Sequence, residues 1–136
     1  MNFSVVEAGN LSHLLSTSKD PIPGKLFLKD KLGLTGMEVS MNQMPVGESI
    51  PFIHTHRENE ELYIFIGGSG QFQVDGQIID VKEGTVVRVS PEGERTLRNT
   101  GDGDLYFIVI QAKEDSLRQW VVTDANVLDR PVTWES

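Results

Sequence analysis

Apolar and polar residues alternate in short runs along most of the chain. Over residues 36–44, Met37, Val39 and Met41 fall on one side and Glu38, Ser40 and Asn42 on the other. That two-residue period belongs to a half-buried strand. Residues 25–29 read the same way, with Leu26 and Leu28 opposed to Phe27. Further runs fall at 50–56, 61–66, 71–74, 77–81, 85–90, 95–99 and 105–111. Turn residues divide them: Pro45-Val46-Gly47, Gly67-Gly68-Ser69-Gly70, Glu83-Gly84, Pro91-Glu92-Gly93 and the loop at 100–104. Asp75-Gly76 between two alternating runs is a strong hairpin signal. About nine short strands spaced roughly ten residues apart predict an all-β sandwich or barrel and exclude a βαβ arrangement.

Helical periodicity is confined to residues 11–16, where Leu11, Leu14 and Leu15 share a side and Asn10 stands as the cap. Pro21 and Pro23 then forbid regular structure. The tail at 113–136 carries Trp120, Val121, Val122 and Trp134. Aromatics of that size predict a docked segment, not a frayed one. With 136 residues and no linker, the whole chain 1–136 reads as one domain.

Composition narrows the function classes. The chain has no cysteine, which excludes a disulfide scaffold, a zinc ribbon and a cysteine nucleophile. Its net charge of −8 repels phosphate backbones and anionic lipid, so neither nucleic acid nor a membrane is expected as a partner. No basic, apolar leader opens the sequence, and a cytoplasmic location is the expectation. A homodimer is expected as well, with the apolar terminal segments covering open sheet edges across a two-fold axis.

Two of the three histidines stand as His54-Thr55-His56. In a strand such residues share a face, about 6.6 Å apart along the chain. After the polar turn Arg57-Glu58-Asn59-Glu60 a new strand begins at Glu61. If it returns beside the first, two imidazoles and a carboxylate converge as a metal site would require. Two surface histidines and a solvated acidic turn would give the same spacing. The third, His13, reads as a helix-surface residue. No phosphate loop, dinucleotide fingerprint or Ser/His/Asp signature is present.

The stretch from Gly47 to Gly70 resembles the first motif of the cupin family: a glycine, a His-x-His pair, a glutamate and a glycine turn. Six residues separate Gly47 from His54, four separate His56 from Glu61, and six separate Glu61 from Gly68. Gly84, Pro91-Glu92-Gly93 and Asn99 resemble the outline of the second motif. Where that motif has its histidine, this chain has Arg95, or Thr96 if Pro91 and Gly93 are the anchors. The resemblance spans about residues 36–112.

The resemblance implies a jelly-roll or double-stranded β-helix barrel. Its internal pocket would be lined by residues 52–56, 61–65 and 95–97, with Phe52 as a wall and Phe65, Met37, Met41 and Met44 as core. It also implies a divalent transition metal ion on His54, His56 and Glu61, with the family's fourth ligand missing. Arg95 could grip a substrate carboxylate, pair with Glu61 in a metal-free pocket, or reach solvent. Tyr63 could turn its hydroxyl to a ligand. Two functions follow. One is a metal-dependent oxygenase or isomerase on a small anionic substrate, with Arg95 on its negative end and Tyr63 hydrogen bonding to it. The other is a non-catalytic small-molecule-binding protein with a degenerate, metal-free site.

Overall fold

Where the alternation is clearest, strands form. The computed structural model describes residues 2–135. Its strands are β1 (Lys25–Phe27), β2 (Glu38–Met44), β3 (Asn59–Gly67), β4 (Ser69–Val74), β5 (Gln77–Lys82), β6 (Val86–Val89), β7 (Arg95–Asn99) and β8 (Leu105–Lys113). They pair into a five-stranded sheet, β1-β2-β8-β3-β6, and a three-stranded sheet, β5-β4-β7, antiparallel throughout. The Asp75-Gly76 turn joins β4 to β5, with both residues at positive φ, 51° and 80°, as a tight hairpin requires.

The core lies between the sheets. Phe72 of the smaller sheet meets Tyr63 and Phe65 of the larger one edge-on, with ring centroids 4.6 and 6.3 Å apart. Leu97, Leu105 and Phe107 complete this layer. Gly68, at φ +81°, lets β3 turn into β4 close against the 104–105 backbone, where a Cβ would run into the Asp104 carbonyl. Outside the barrel, a 3-10 turn at Leu11–His13 leads into α1 (Leu14–Thr17). Asn10 caps the turn by accepting from the Ser12 amide at 2.9 Å, and Leu14 is wholly buried. A second helical turn, α2 (Lys29–Leu32), has no counterpart in the sequence reading. It ends at Gly33 in the left-handed conformation, φ 71°. No described helix is long and apolar enough to cross a membrane.

Three sequence expectations are corrected. Residues 50–56 do not form a strand; only an isolated bridge joins His54 to Arg95. Pro51 has no N–H to donate and interrupts the ladder. In β2 the polar residues Ser40 and Asn42 are buried, while Met41 is half-buried and Met37 lies exposed before the strand. The inward face of this strand lines a cavity and so favours polar side chains. Finally, Trp120 and Trp134 are 75% and 95% exposed. Within the single chain these two rings do not pack on the barrel.

Candidate functional site

Pairing partners in a sheet share a face, so the strand register sets what looks inward. One inward row across the larger sheet is Glu38, Gln111, Glu61 and Val89; the next is Phe27, Ser40, Val109 and Tyr63; a third is Lys25, Asn42 and Phe107. Residues 48–56 cross opposite these rows, held to β7. Ile50 and His54 donate to the carbonyls of Leu97 and Arg95 at 3.0 and 3.1 Å, and His56 donates to Pro91 at 2.9 Å. Between them opens a cavity of about 530 Å³ whose walls include Phe52, His54, His56, Glu61, Tyr63 and Lys25.

His54, His56 and Glu61 are brought together, each offering an atom within 4.8 Å of the others. His54 Nε2 lies 3.8 Å from Glu61 Oε1, and His56 Nε2 lies 3.3 Å from Glu61 Oε2. The two rings meet edge to face, 5.1 Å between centroids. His56 Nε2 is buried yet lacks the alignment of a hydrogen bond, as does His54 Nδ1. An unsatisfied buried nitrogen costs about 1–3 kcal/mol unless something else fills its lone pair or takes its proton. These separations are close to those of ligands placed about 2.0–2.2 Å from one ion. The group is therefore able to bind a metal.

Glu61 is only 4% exposed, and its two oxygens are used differently. Oε1 accepts from Arg95 Nη1 at 2.7 Å and from the Tyr63 hydroxyl at 2.8 Å. Oε2 is left facing His56. The Arg95 guanidinium has no exposed surface. Besides Glu61 it donates from Nε to Gly93 O at 3.0 Å and from Nη2 to Ser90 O and Pro91 O at 2.7 and 3.1 Å. It lies behind the carboxylate with four of its five donors engaged, the pairing with Glu61 being one of the roles open to it from sequence. Thr96 points elsewhere, its hydroxyl 3.3 Å from Ile50 O. The Tyr63 hydroxyl holds Glu61; burial, with the Glu61 charge beside it, pushes its pKa far above the ordinary range.

Burial lowers the His54 pKa, an effect opposed by Glu61 and reinforced by His56, Arg95 and Lys25. The neutral, metal-competent imidazole is thus favoured. Because the folded value lies below the unfolded one, protonation favours the unfolded state, and this group's share of stability is lost as pH falls below 6.5. An NMR titration of metal-free protein is expected to give His54 a midpoint below 6.5. A midpoint above it would mean that Glu61 outweighs desolvation.

Sequence reasoning missed several polar groups of the cavity, among them Ser40, Asn42 and Lys25. Lys25 Nζ donates to Asn42 Oδ1 at 3.1 Å and lies 5.1 Å from the centre of the Phe27 ring. Burial lowers its pKa, partly offset by Glu61 and Glu38. The one available signal was that Lys25 shares strand parity with Phe27.

Comparison with known proteins agrees with this geometry. Residues 40–111 match the family model described as a cupin domain. A cupin protein from Bacteroides fragilis is 34% identical, with 94% of this chain and 98% of that one covered and a TM-score of 0.79. An oxalate-binding protein from Thermotoga maritima is 28% identical over 74% of this chain and 72% of its own length. A crystal structure from the same organism, titled a predicted oxalate decarboxylase, is 27% identical. It covers 55% of this chain and 64% of its own, with a TM-score of 0.53.

Proposed function

This chain belongs to the cupin family, and from that premise we propose that it holds one divalent transition metal ion on His54, His56 and Glu61 and presents it to a small molecule in the barrel cavity. One observation carries the reading. His56 Nε2 is buried, unpartnered and 3.3 Å from the free oxygen of Glu61. The donor set is the two-histidine, one-carboxylate kind that leaves coordination positions open. A metal bound there supplies Lewis acidity and a point of orientation for an oxygen-bearing organic ligand, as an oxygenase or isomerase would use. Arg95 and Tyr63 fix Glu61 Oε1, which also lies 3.8 Å from His54 Nε2, so that Oε2 is turned toward His56. The name of the Thermotoga maritima relative attaches oxalate to that protein and supports a small organic anion as the ligand class here.

The Arg95–Glu61 pair favours a second reading. It neutralises the carboxylate without any ion, as a metal-free small-molecule-binding protein would require. Titrating metal-stripped protein with zinc or nickel separates the two: one ion per chain is expected, and the absence of binding would leave the metal-free reading.

The same proposal takes the working form as a homodimer, in which the exposed Trp120 and Trp134 segments are covered by a second copy. Light scattering should report about twice the chain mass of 15.1 kDa. A mass of one chain at micromolar concentration would contradict it.

A further inference from the structure

We propose that Lys25 is the carboxylate anchor of the cavity. Its ammonium takes the acid group of an organic acid whose apolar body lies against Phe27, Leu97 and Phe107, with its far end turned to His54, His56 and Glu61. The far-end placement rests on the metal reading above; the anchor itself does not.

The argument begins with charge. Of the two cations near the site, Arg95 has four of its five N–H donors engaged by Glu61 and three backbone carbonyls. It is buried behind the carboxylate and cannot reach a ligand. Lys25 is different. Among the described residues no carboxylate lies within 4 Å of its Nζ. An ammonium has three N–H donors, and one of them goes to Asn42 Oδ1.

The two acidic groups whose charge acts on Lys25, Glu38 and Glu61, both lie more than 4 Å from its Nζ, and each has one oxygen engaged elsewhere. Glu38 Oε1 accepts from the amides of Lys29 and Val39 at 2.9 and 3.0 Å, and Glu61 is paired with Arg95 at 2.7 Å. A partly buried ammonium with spare donors is costly unless something pairs with it, and the cavity is where the partner must come from.

Position is fixed from below. Gly24, at φ +87°, approaches the β2 backbone so closely that a Cβ would run into the Gln43 carbonyl. The Gln43 amide donates back to Gly24 O at 2.9 Å. Lys25 therefore starts β1 in a set register opposite Asn42. Its neighbours Phe27 and Phe107 are apolar, and so is Leu97 across the cavity. An acid group beside them with an apolar body behind it matches this lining; a bare inorganic anion leaves the apolar surface unused.

Calorimetry on metal-loaded and metal-stripped protein tests this, using hexanoate and phenylacetate against hexanamide and phenylacetamide, with inorganic phosphate as a further arm. Wild type should prefer each acid over its amide by about tenfold or more, the scale of one charge-assisted hydrogen bond. Lys25→Met and Lys25→Gln should erase that preference while leaving metal content unchanged, and Lys25→Arg should keep most of it. A preference that survives in both removal variants, or its absence in wild type, overturns the anchor. Phosphate binding as tightly as hexanoate does so too. If metal is absent from every sample and the Lys25-dependent preference persists, the metal reading falls and the anchor stands.

Discussion

Replacing Arg95 with Met is expected to destabilise the protein by about 3–5 kcal/mol, the cost of removing one partner of a buried ion pair. The guanidinium has no exposed surface and Glu61 is 4% exposed. In metal-stripped protein, where this is to be measured, the variant would strand Glu61 as an uncompensated buried charge. It would also leave the Gly93 carbonyl without its donor and take one of two donors from the carbonyls of Ser90 and Pro91. Because a domain of this kind has only about 5–15 kcal/mol in total, the loss should be plain in a urea unfolding curve as a lower midpoint at an unchanged slope. A second change, Glu61→Leu on the Arg95→Met background, should recover part of the loss, since it removes the stranded charge. A loss under about 1 kcal/mol for the single variant would match an exposed ion pair and contradict the burial described here.

His54→Ala and His56→Ala should each weaken metal binding by at least about 100-fold, beyond the roughly 10–100-fold that follows loss of an outer hydrogen-bonding partner. Both side chains are partly exposed, 33% and 27%, and neither belongs to the hydrophobic core. Metal-free stability should therefore change by no more than about 1 kcal/mol. Binding and folding are separable at these two positions. Glu61→Gln is a poorer probe, because it also unpairs Arg95. Variants that retain metal would move the ligand set elsewhere.

The histidines and Glu61 were legible because they stand in the family's first motif; spacing alone fitted two surface histidines and a solvated turn equally well. β7 was legible end to end because Arg95, Leu97 and Asn99 alternate with exposed or half-buried residues. Residues 50–56 misled because the apolar pattern carries no record of the missing Pro51 amide. Ser40 and Asn42 misled for a different reason. Alternation says which residues share a face but not which face is inside, and a ligand cavity inverts the usual polarity. Lys25 could be placed on a strand but not in the cavity, since that depends on pairing with Asn42, 17 residues away, through a register that no local pattern encodes. The tail aromatics were read as docked on size alone, and size says nothing of whether a groove exists for them.

Elemental analysis of protein purified without a histidine tag tests the central claim most directly. Wild type should carry a first-row transition metal approaching one ion per chain, and the His54→Ala/His56→Ala variant should carry none. A wild type free of iron, nickel, zinc, manganese and copper, even after soaking in each, would contradict the metal site.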